Sequence, residues 1–169
     1  MRVGTHTISK ARLVPKLGGP YFDFLVVAPD EYWERRHPKR KATRIKPEYY
    51  HHPEALRVPL CVVSVAVACF MRAHPDFNYY GDTEFGGEFL GRLITELSAQ
   101  VEVIQACKWK REFGALVTEM FSYDCAQSVG PWQRHWPRIR EEVAEAISNI
   151  VERANTAVRD DKVLLVLGV

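Results

Sequence analysis

The sequence lacks the short motifs that mark the common catalytic and cofactor sites. It contains no Walker-type phosphate loop, no dinucleotide fingerprint and no G-x-S-x-G elbow. Its four cysteines form no C-x-x-C pair, and no histidines stand at the spacing of a zinc finger. We therefore expect a protein that is not an enzyme, with no catalytic residues, no metal and no cofactor.

Long hydrophobic runs are also missing. The longest, VPLCVVSVAVACFM at 58–71, is too short to span a membrane and predicts buried core. The first residues, MRVGTHTISKARLV, contain no apolar region of the kind found in a signal peptide. Buried reduced thiols are expected at all four cysteines, Cys61, Cys69, Cys107 and Cys125. These features favour a cytoplasmic protein without a membrane contact.

Acidic residues are absent from one segment, RRHPKRKATRIK at 35–46, which holds seven Lys or Arg and one His. The whole chain of 169 residues has a formal net charge of +2. Without this segment, 16 Lys and Arg remain against 21 Asp and Glu, so the remainder carries −5. Pro38, Pro47 and the lack of apolar periodicity predict a loop, called the basic loop below. An acidic body with one basic loop points to charged partners.

The first third of the chain predicts strands around a turn. Residues 2–14 and YFDFLVVA at 21–28 flank the turn sequence KLGGP at 16–20, which indicates an N-terminal hairpin. PDEYWERR at 29–36 predicts a short helix capped by Asp30.

The apolar segment at 53–71 is compatible with either a helix or a strand. Pro53 suits the first position of a helix that Pro59 breaks or restarts. Almost every residue from Leu60 to Met71 is apolar or small, so periodicity cannot separate a buried helix from a strand. Length favours a helix, whereas the many valines favour a strand. We expect the helix.

The segment 82–100 predicts a helix that begins at its acidic lead-in. Asp82 or Thr83 can cap it, and glycines within it permit close packing against another backbone. Apolar residues then recur every four positions, as expected for one side of a helix; they are Phe85, Phe89, Leu93 and Leu97. Residues 101–107 either continue this helix or form a strand, and 113–121 yields no clear prediction.

The C-terminal part carries the strongest helical pattern. Pro137 occupies a first-turn position, and one apolar stripe follows it, formed by Ile139, Val143, Ala146, Ile147, Ile150, Ala154 and Val158. VLLVLGV at 163–169 predicts a buried strand that pairs with the N-terminal hairpin. The sequence therefore predicts one α+β domain over 1–169, in which a small antiparallel sheet (N-terminal hairpin plus C-terminal strand) packs against several helices.

The segment DTEFGGEFLGRLITELSAQ at 82–100 resembles a segment of small bacterial immunity proteins from contact-dependent inhibition and related polymorphic toxin systems. An acidic or aromatic lead-in with glycine precedes a helix, and Leu90, Leu93, Glu96 and Leu97 fit its spacing. The resemblance implies a non-enzymatic protein that binds a cognate toxin and covers its active site. Many such proteins are acidic throughout, whereas this chain has a pI of about 8.4.

The predicted toxin-contact residues surround the same lead-in. They combine aromatic anchors with acidic groups and are Tyr79, Tyr80, Asp82, Glu84 and Glu88. Aromatic side chains supply much of the energy of protein interfaces, and charges at the rim steer association with a basic partner.

The basic loop is open to three interpretations: a solvated or self-docked loop, a protein contact, or a nucleic-acid contact. Its candidate binding residues are Arg35, Arg36, Lys39, Arg40 and Lys41. The nearby aromatic residues Tyr32, Trp33, Tyr49 and Tyr50 could stack on bases while the cations neutralise phosphates. The alternative function is therefore a nucleic-acid-binding module. An enzyme with a cleft built from distant acids, such as the pairs Glu84/Glu88 and Glu141/Glu145, is the third hypothesis.

Overall fold

The computed structural model describes residues 20–29, 31–33 and 45–168. These residues form one antiparallel four-stranded sheet in the order β2-β1-β4-β3. Its strands are β1 (Tyr21–Val27), β2 (Leu56–Pro59), β3 (Asp82–Phe85) and β4 (Val163–Gly168). Helices pack against this sheet, so the α+β prediction is confirmed.

In the described part of the chain, six α-helices lie between β2 and β4. They are α1 (Leu60–Val65), α2 (Val67–Ala73), α3 (Gly87–Ala106), α4 (Lys110–Gly114), α5 (Glu119–Val129) and α6 (Trp136–Arg159). Short 3-10 turns occur at Pro47–Tyr49 and Trp132–Arg134. The long helices α3 and α6 pack along one another, and α6 also contacts β1 and β4.

The sheet is covered on both faces. Phe22 and Phe24 of β1 point to the helices, whereas Leu25 and Val27 point to the opposite face. That second face is covered by residues 31–33 and 45–55, which contribute the buried side chains of Tyr32 and Ile45. A strand buried on both faces is apolar at every position, which is why β4 is a continuous apolar run.

The pairing of the C-terminal strand with the N-terminal region is confirmed. β1 and β4 are antiparallel in a register that runs from Phe22↔Gly168 to Val27↔Val163. The other neighbour of β1 is β2, which we did not predict. The first strand of the predicted hairpin lies outside the described residues, as does most of its turn.

The expected helix at 60–71 is confirmed, in two pieces joined at Ala66. The predicted helix start at Pro53 is wrong, because residues 56–59 form the edge strand β2. Pro59 ends that strand, a position where a missing N–H costs no ladder hydrogen bond. In the predicted helix 29–36, residues 31–33 form a turn and a bridge to Ile45 instead. The rest of that segment, except for residue 29, lies outside the described residues.

The predicted helix start at Asp82 is also wrong. Residues 82–85 pair with Leu164 to Leu167 of β4, so they form an edge strand and the helix begins at Gly87. Thr83 does not cap the helix, and its side-chain oxygen accepts a hydrogen bond from the Asn78 backbone N–H at 3.0 Å. Residues 101–106 continue the helix. Asp82 and Thr83 resemble helix caps, but these residues pair with the free edge of β4, whose backbone groups need hydrogen-bond partners.

The close packing that we predicted for the glycines of this segment occurs only at Gly86, where a Cβ would lie 3.1 Å from the Val163 side chain of β4, and not at Gly87 or Gly91. Gly87 has a φ of +51°, a left-handed conformation that favours glycine. A Cβ built at Gly91 meets nothing within 4 Å, so this helical glycine faces open space.

Replacing Gly87 and replacing Gly91 with alanine should change the free energy of unfolding in opposite directions. Gly91→Ala should stabilise the protein by about 0.5–1 kcal/mol, because alanine loses less backbone entropy in a helix. Gly87→Ala should destabilise it by about 1 kcal/mol or more, because the left-handed conformation strains a residue with a Cβ. Urea unfolding of both variants measures the difference, and equal shifts would contradict these conformations.

The stripe on α6 is confirmed except at its end. Its members from Ile139 to Ala154 are buried. Val158 is 55% exposed, and Ala157 takes the buried position instead. The helical repeat of 3.6 residues favours 157 over 158 after Ala154 because the stripe alternates steps of three and four.

All four cysteines are buried reduced thiols, as expected. Burial, together with a smaller effect of the nearby Asp124, raises the pKa of the Cys61 thiol to about 12. The folded state therefore keeps a proton that the unfolded chain releases above the ordinary value of 9.0. This contribution to stability is complete below pH 9 and is lost as the pH rises towards 12.

An alkaline loss of stability follows from the Cys61 pKa. The urea midpoint should fall as the pH rises above about 9, where a thiol of ordinary pKa ionises in the unfolded chain while Cys61 stays protonated in the folded one. Cys61→Ala should start from a lower midpoint and show a shallower fall. Parallel curves for the two proteins would exclude Cys61 as the source.

Candidate functional site: an acidic aromatic surface

The turn before β3 and the helix α5 meet at the protein surface. The Tyr79 hydroxyl donates to Met120 Sδ at 3.7 Å, which joins positions 41 residues apart. The Tyr79 ring contacts Tyr80, with centroids 5.0 Å apart, and it packs inward on Phe22 at 5.6 Å. Tyr79 therefore anchors the turn and holds Tyr80 beside α5.

The outer side of this junction is aromatic and exposed. Tyr80 is 83% exposed and Tyr123 is 66% exposed. Met120 lies three residues before Tyr123, a helical spacing that places both on one side of α5. These side chains and the acids Glu119 and Asp124 of the same helix define what we call the acidic aromatic surface.

The two segments that build this surface contain no cations. Segments 73–91 and 112–133 hold seven acids and no Lys or Arg. The acids are Asp76, Asp82, Glu84, Glu88, Glu112, Glu119 and Asp124. The described residues as a whole carry 13 Lys and Arg against 19 Asp and Glu, a formal charge of −6. The surface therefore presents aromatic groups in a negative field.

The orientation of α5 is set by its first turn and its buried side. The Thr118 hydroxyl accepts a hydrogen bond from the Phe121 N–H at 3.1 Å, which caps the helix. The same hydroxyl shares a 2.7 Å hydrogen bond with Ser64 of α1. Phe121 and Cys125 are buried. With these residues turned inward, Met120 and Tyr123 are turned outward.

Tyr79 stays protonated over the physiological range. Burial raises its pKa to about 12, and the neighbouring Tyr80, Cys61 and Asp124 raise it as well. The phenol therefore remains a hydrogen-bond donor to Met120. Asp124 is four residues after Met120 on the same helix. This carboxylate belongs to the same surface.

The five predicted contact residues have different surroundings. Tyr79 and Tyr80 join α5, whereas Asp82 accepts a 2.6 Å hydrogen bond from the Tyr50 hydroxyl. Asp82 and Glu84 alternate with the buried Thr83 and Phe85 along β3, so both face the second side of the sheet. Glu88 pairs with Arg92 at 2.8 Å on α3. Only the two tyrosines belong to the acidic aromatic surface.

Sequence reasoning missed the contribution of α5. Met120, Tyr123 and Asp124 lie in or just after a stretch for which no element was predicted. The absence of Lys and Arg from 112–133 can be read from the sequence and could have indicated that this stretch contributes to an acidic surface. The contact that joins this stretch to Tyr79 is not visible there.

A buried carboxylate fixes the corner that holds Tyr50. Asp23 of β1 is fully buried and accepts hydrogen bonds from Arg57 Nε and the His51 N–H, each at 3.0 Å. His51 has a φ of +59°, so the chain turns sharply here. The corner places Tyr50 where its hydroxyl reaches Asp82.

The five candidate cations of the basic loop lie outside the described residues. The two ends of the loop are joined by a bridge between Trp33 and Ile45, and the Lys46 N–H donates to Tyr32 O at 2.9 Å. Tyr32 is fully buried, with its ring 4.8 Å from Trp33 and 6.3 Å from Tyr49. Trp33, Tyr49 and Tyr50 are half-buried. The aromatic residues considered for base stacking therefore cover the second face of the sheet.

Two open grooves flank α6, away from the acidic aromatic surface. One, of about 320 Å³, is lined by Glu141 and Glu145, one of the acid pairs considered for catalysis, together with Arg140. The other, of about 290 Å³, lies between α6 and Leu56 of β2. Within the described ranges, no three His, Cys, Asp or Glu side chains are arranged to hold a metal ion.

No helix in the described part of the chain is both long and apolar enough to cross a bilayer. Comparisons of the chain with protein-family models, curated proteins and solved structures found no match.

Proposed function

We propose that this protein is a cytoplasmic immunity protein, which binds a cognate bacterial toxin domain and covers its active site without catalysing a reaction. The acidic aromatic surface is the contact. The observation that carries the proposal is the meeting of two cation-free segments at the Tyr79–Met120 contact, where Tyr80 and Tyr123 are exposed.

The chemistry of this surface suits a basic partner. Toxin domains that cut nucleic acids bind phosphates and therefore present Lys and Arg at their active sites. Such a groove is attracted by Glu119 and Asp124, which raises the rate of association. Tyr80 and Tyr123 offer rigid apolar area with a polar end, the kind of residue that dominates interface energies. Outside the basic loop the chain carries a charge of −5, which adds to the attraction.

The test uses the protein encoded by the gene directly upstream as the toxin. Cells that express it should survive when the wild-type chain is co-expressed. Glu119→Lys combined with Asp124→Lys should abolish this protection, because two charges that attract the partner then repel it. Asp82→Lys, Glu84→Lys and Glu88→Lys together should also weaken it, although part of that loss reflects the hydrogen bond from Tyr50 to Asp82.

The matched control is Glu102→Lys with Glu152→Lys, which makes the same charge change at exposed positions of α3 and α6. The control should protect as well as the wild type. Equal protection by all variants would contradict the proposed contact. Tight, salt-dependent binding of nucleic acid that disappears after the basic-loop cations are replaced by Ser would favour the alternative module instead.

A further inference from the structure

The turn between α3 and α4 presents an exposed indole among cations. Trp109 is 68% exposed, and its neighbours Lys108, Lys110 and Arg111 are exposed as well. We call residues 108–111 the basic Trp109 turn. The turn therefore combines a large exposed apolar ring with three positive charges.

The basic Trp109 turn is held rigidly. One Glu112 carboxylate oxygen accepts hydrogen bonds from the backbone N–H groups of Lys108 at 2.7 Å and of Trp109 at 3.2 Å. Arg140 of α6 donates to the Cys107 carbonyl. Because the backbone is already fixed, binding through this turn costs little ordering of the chain.

Its chemistry fits an acidic surface on a folded protein. Trp and Arg are enriched at interface centres, and Lys at the rim attracts carboxylates. A long polyanion, such as nucleic acid or an anionic membrane, would extend from the cations of this turn onto a body that, outside the basic loop, carries 16 Lys and Arg against 21 Asp and Glu. A compact acidic patch avoids that repulsion.

This chain carries such a patch itself. The acidic aromatic surface has exposed aromatic rings and acids, and its two segments contain no cations. It is connected to the basic Trp109 turn through the helix layer, where the rings of Phe113 and Phe121 lie 6.3 Å apart. The two surfaces therefore have opposite charge and shared aromatic character, on adjoining helices.

We infer that two copies of this chain pair, with the basic Trp109 turn of each copy on the acidic aromatic surface of the other. A two-fold arrangement forms both contacts at once and closes the assembly at two copies. The pairing uses the surface that the proposed function assigns to the toxin, but it is measured without any toxin. Its failure would therefore leave the proposed function untouched.

The experiment is analytical ultracentrifugation of the purified full chain at about 100 µM, a concentration that detects micromolar pairing. The wild type should sediment as a dimer that dissociates as salt rises from about 50 to about 500 mM, because screening weakens contacts between charges. Trp109→Ala should weaken the pairing at least about tenfold. A monomeric wild type at the lower salt concentration would overturn the inference.

Charge reversal tests which surfaces meet. Lys108→Glu with Lys110→Glu makes both surfaces of a copy acidic, and Glu119→Lys with Asp124→Lys makes both basic. Each double variant alone should be monomeric, whereas an equimolar mixture of the two should form heterodimers. A mixture that stays monomeric while both variants retain wild-type circular dichroism and thermal melting would overturn the inference.

The matched control is Arg159→Glu with Lys162→Glu, which makes the same charge change at the far end of α6. It should remain dimeric. A dimer that survives both Trp109→Ala and the reversal at Lys108 and Lys110 would place the contact elsewhere. Retention of a single-stranded oligonucleotide that Trp109→Ala abolishes, from a monomeric wild type, would assign the turn to nucleic acid instead.

Discussion

Replacing Tyr80 and Tyr123 together with Ala should lower the affinity for the toxin domain by about 100-fold or more. Tyrosines at the centre of an interface often contribute about 2 kcal/mol each, and 1.4 kcal/mol corresponds to a factor of ten. Both rings are exposed in the unbound chain, so their truncation removes binding area without opening a cavity in the core. Titration calorimetry with the purified toxin domain measures the change.

The matched control is Met71→Ala with Val158→Ala, which truncates exposed apolar side chains of α2 and α6. Its affinity should stay within about threefold of the wild type, since distant surface changes have small effects. If the tyrosine variant and this control bind equally well, the acidic aromatic surface is not the toxin contact.

Replacing Asp23 with Asn should destabilise the fold by about 2–3 kcal/mol. The carboxylate is fully buried, and its loss leaves the His51 N–H and Arg57 with a weaker acceptor. Arg57 is 45% exposed, so water compensates part of its charge. The loss therefore stays below the roughly 3–5 kcal/mol of a broken, fully buried ion pair.

Urea unfolding measures this loss, with Asp160→Asn as the control. Asp160 pairs with Arg159 at the surface at the same 3.0 Å distance, so its replacement should cost about 0.5 kcal/mol or less. Similar losses at both positions would show that burial at Asp23 contributes nothing extra.

Several features could be predicted because each depends on a local or compositional pattern. The apolar stripe of α6 needs only the helical period, and the run at 58–71 is too apolar to lie at the surface. The terminal run from Val163 was predicted to pair with the N-terminal hairpin, because it is too apolar to be exposed. It pairs with the second strand of that hairpin, β1.

The errors occur where a distant partner overrides a local signal. Asp82 resembles a helix cap, yet residues 82–85 pair with β4, because the otherwise unpaired edge of a buried strand needs hydrogen bonds. Residues 56–59 likewise become a strand on β1 rather than part of a helix. The difference in local propensity between helix and strand is smaller than the free energy gained when the backbone N–H and C=O groups at the edge of a buried strand form hydrogen bonds.

For the candidate site, the charge could be predicted from the sequence, but the geometry could not. Its charge was readable, because the lead-in acids and the absence of Lys and Arg from 73–91 and 112–133 are properties of composition. Its geometry was not, because the Tyr79–Met120 contact joins positions 41 residues apart and depends on the docking of α5 through Thr118 and Phe121. Periodicity shows which side of one element is apolar, but not which two elements meet. Only the packed chain brings Tyr80 and Tyr123 to one surface.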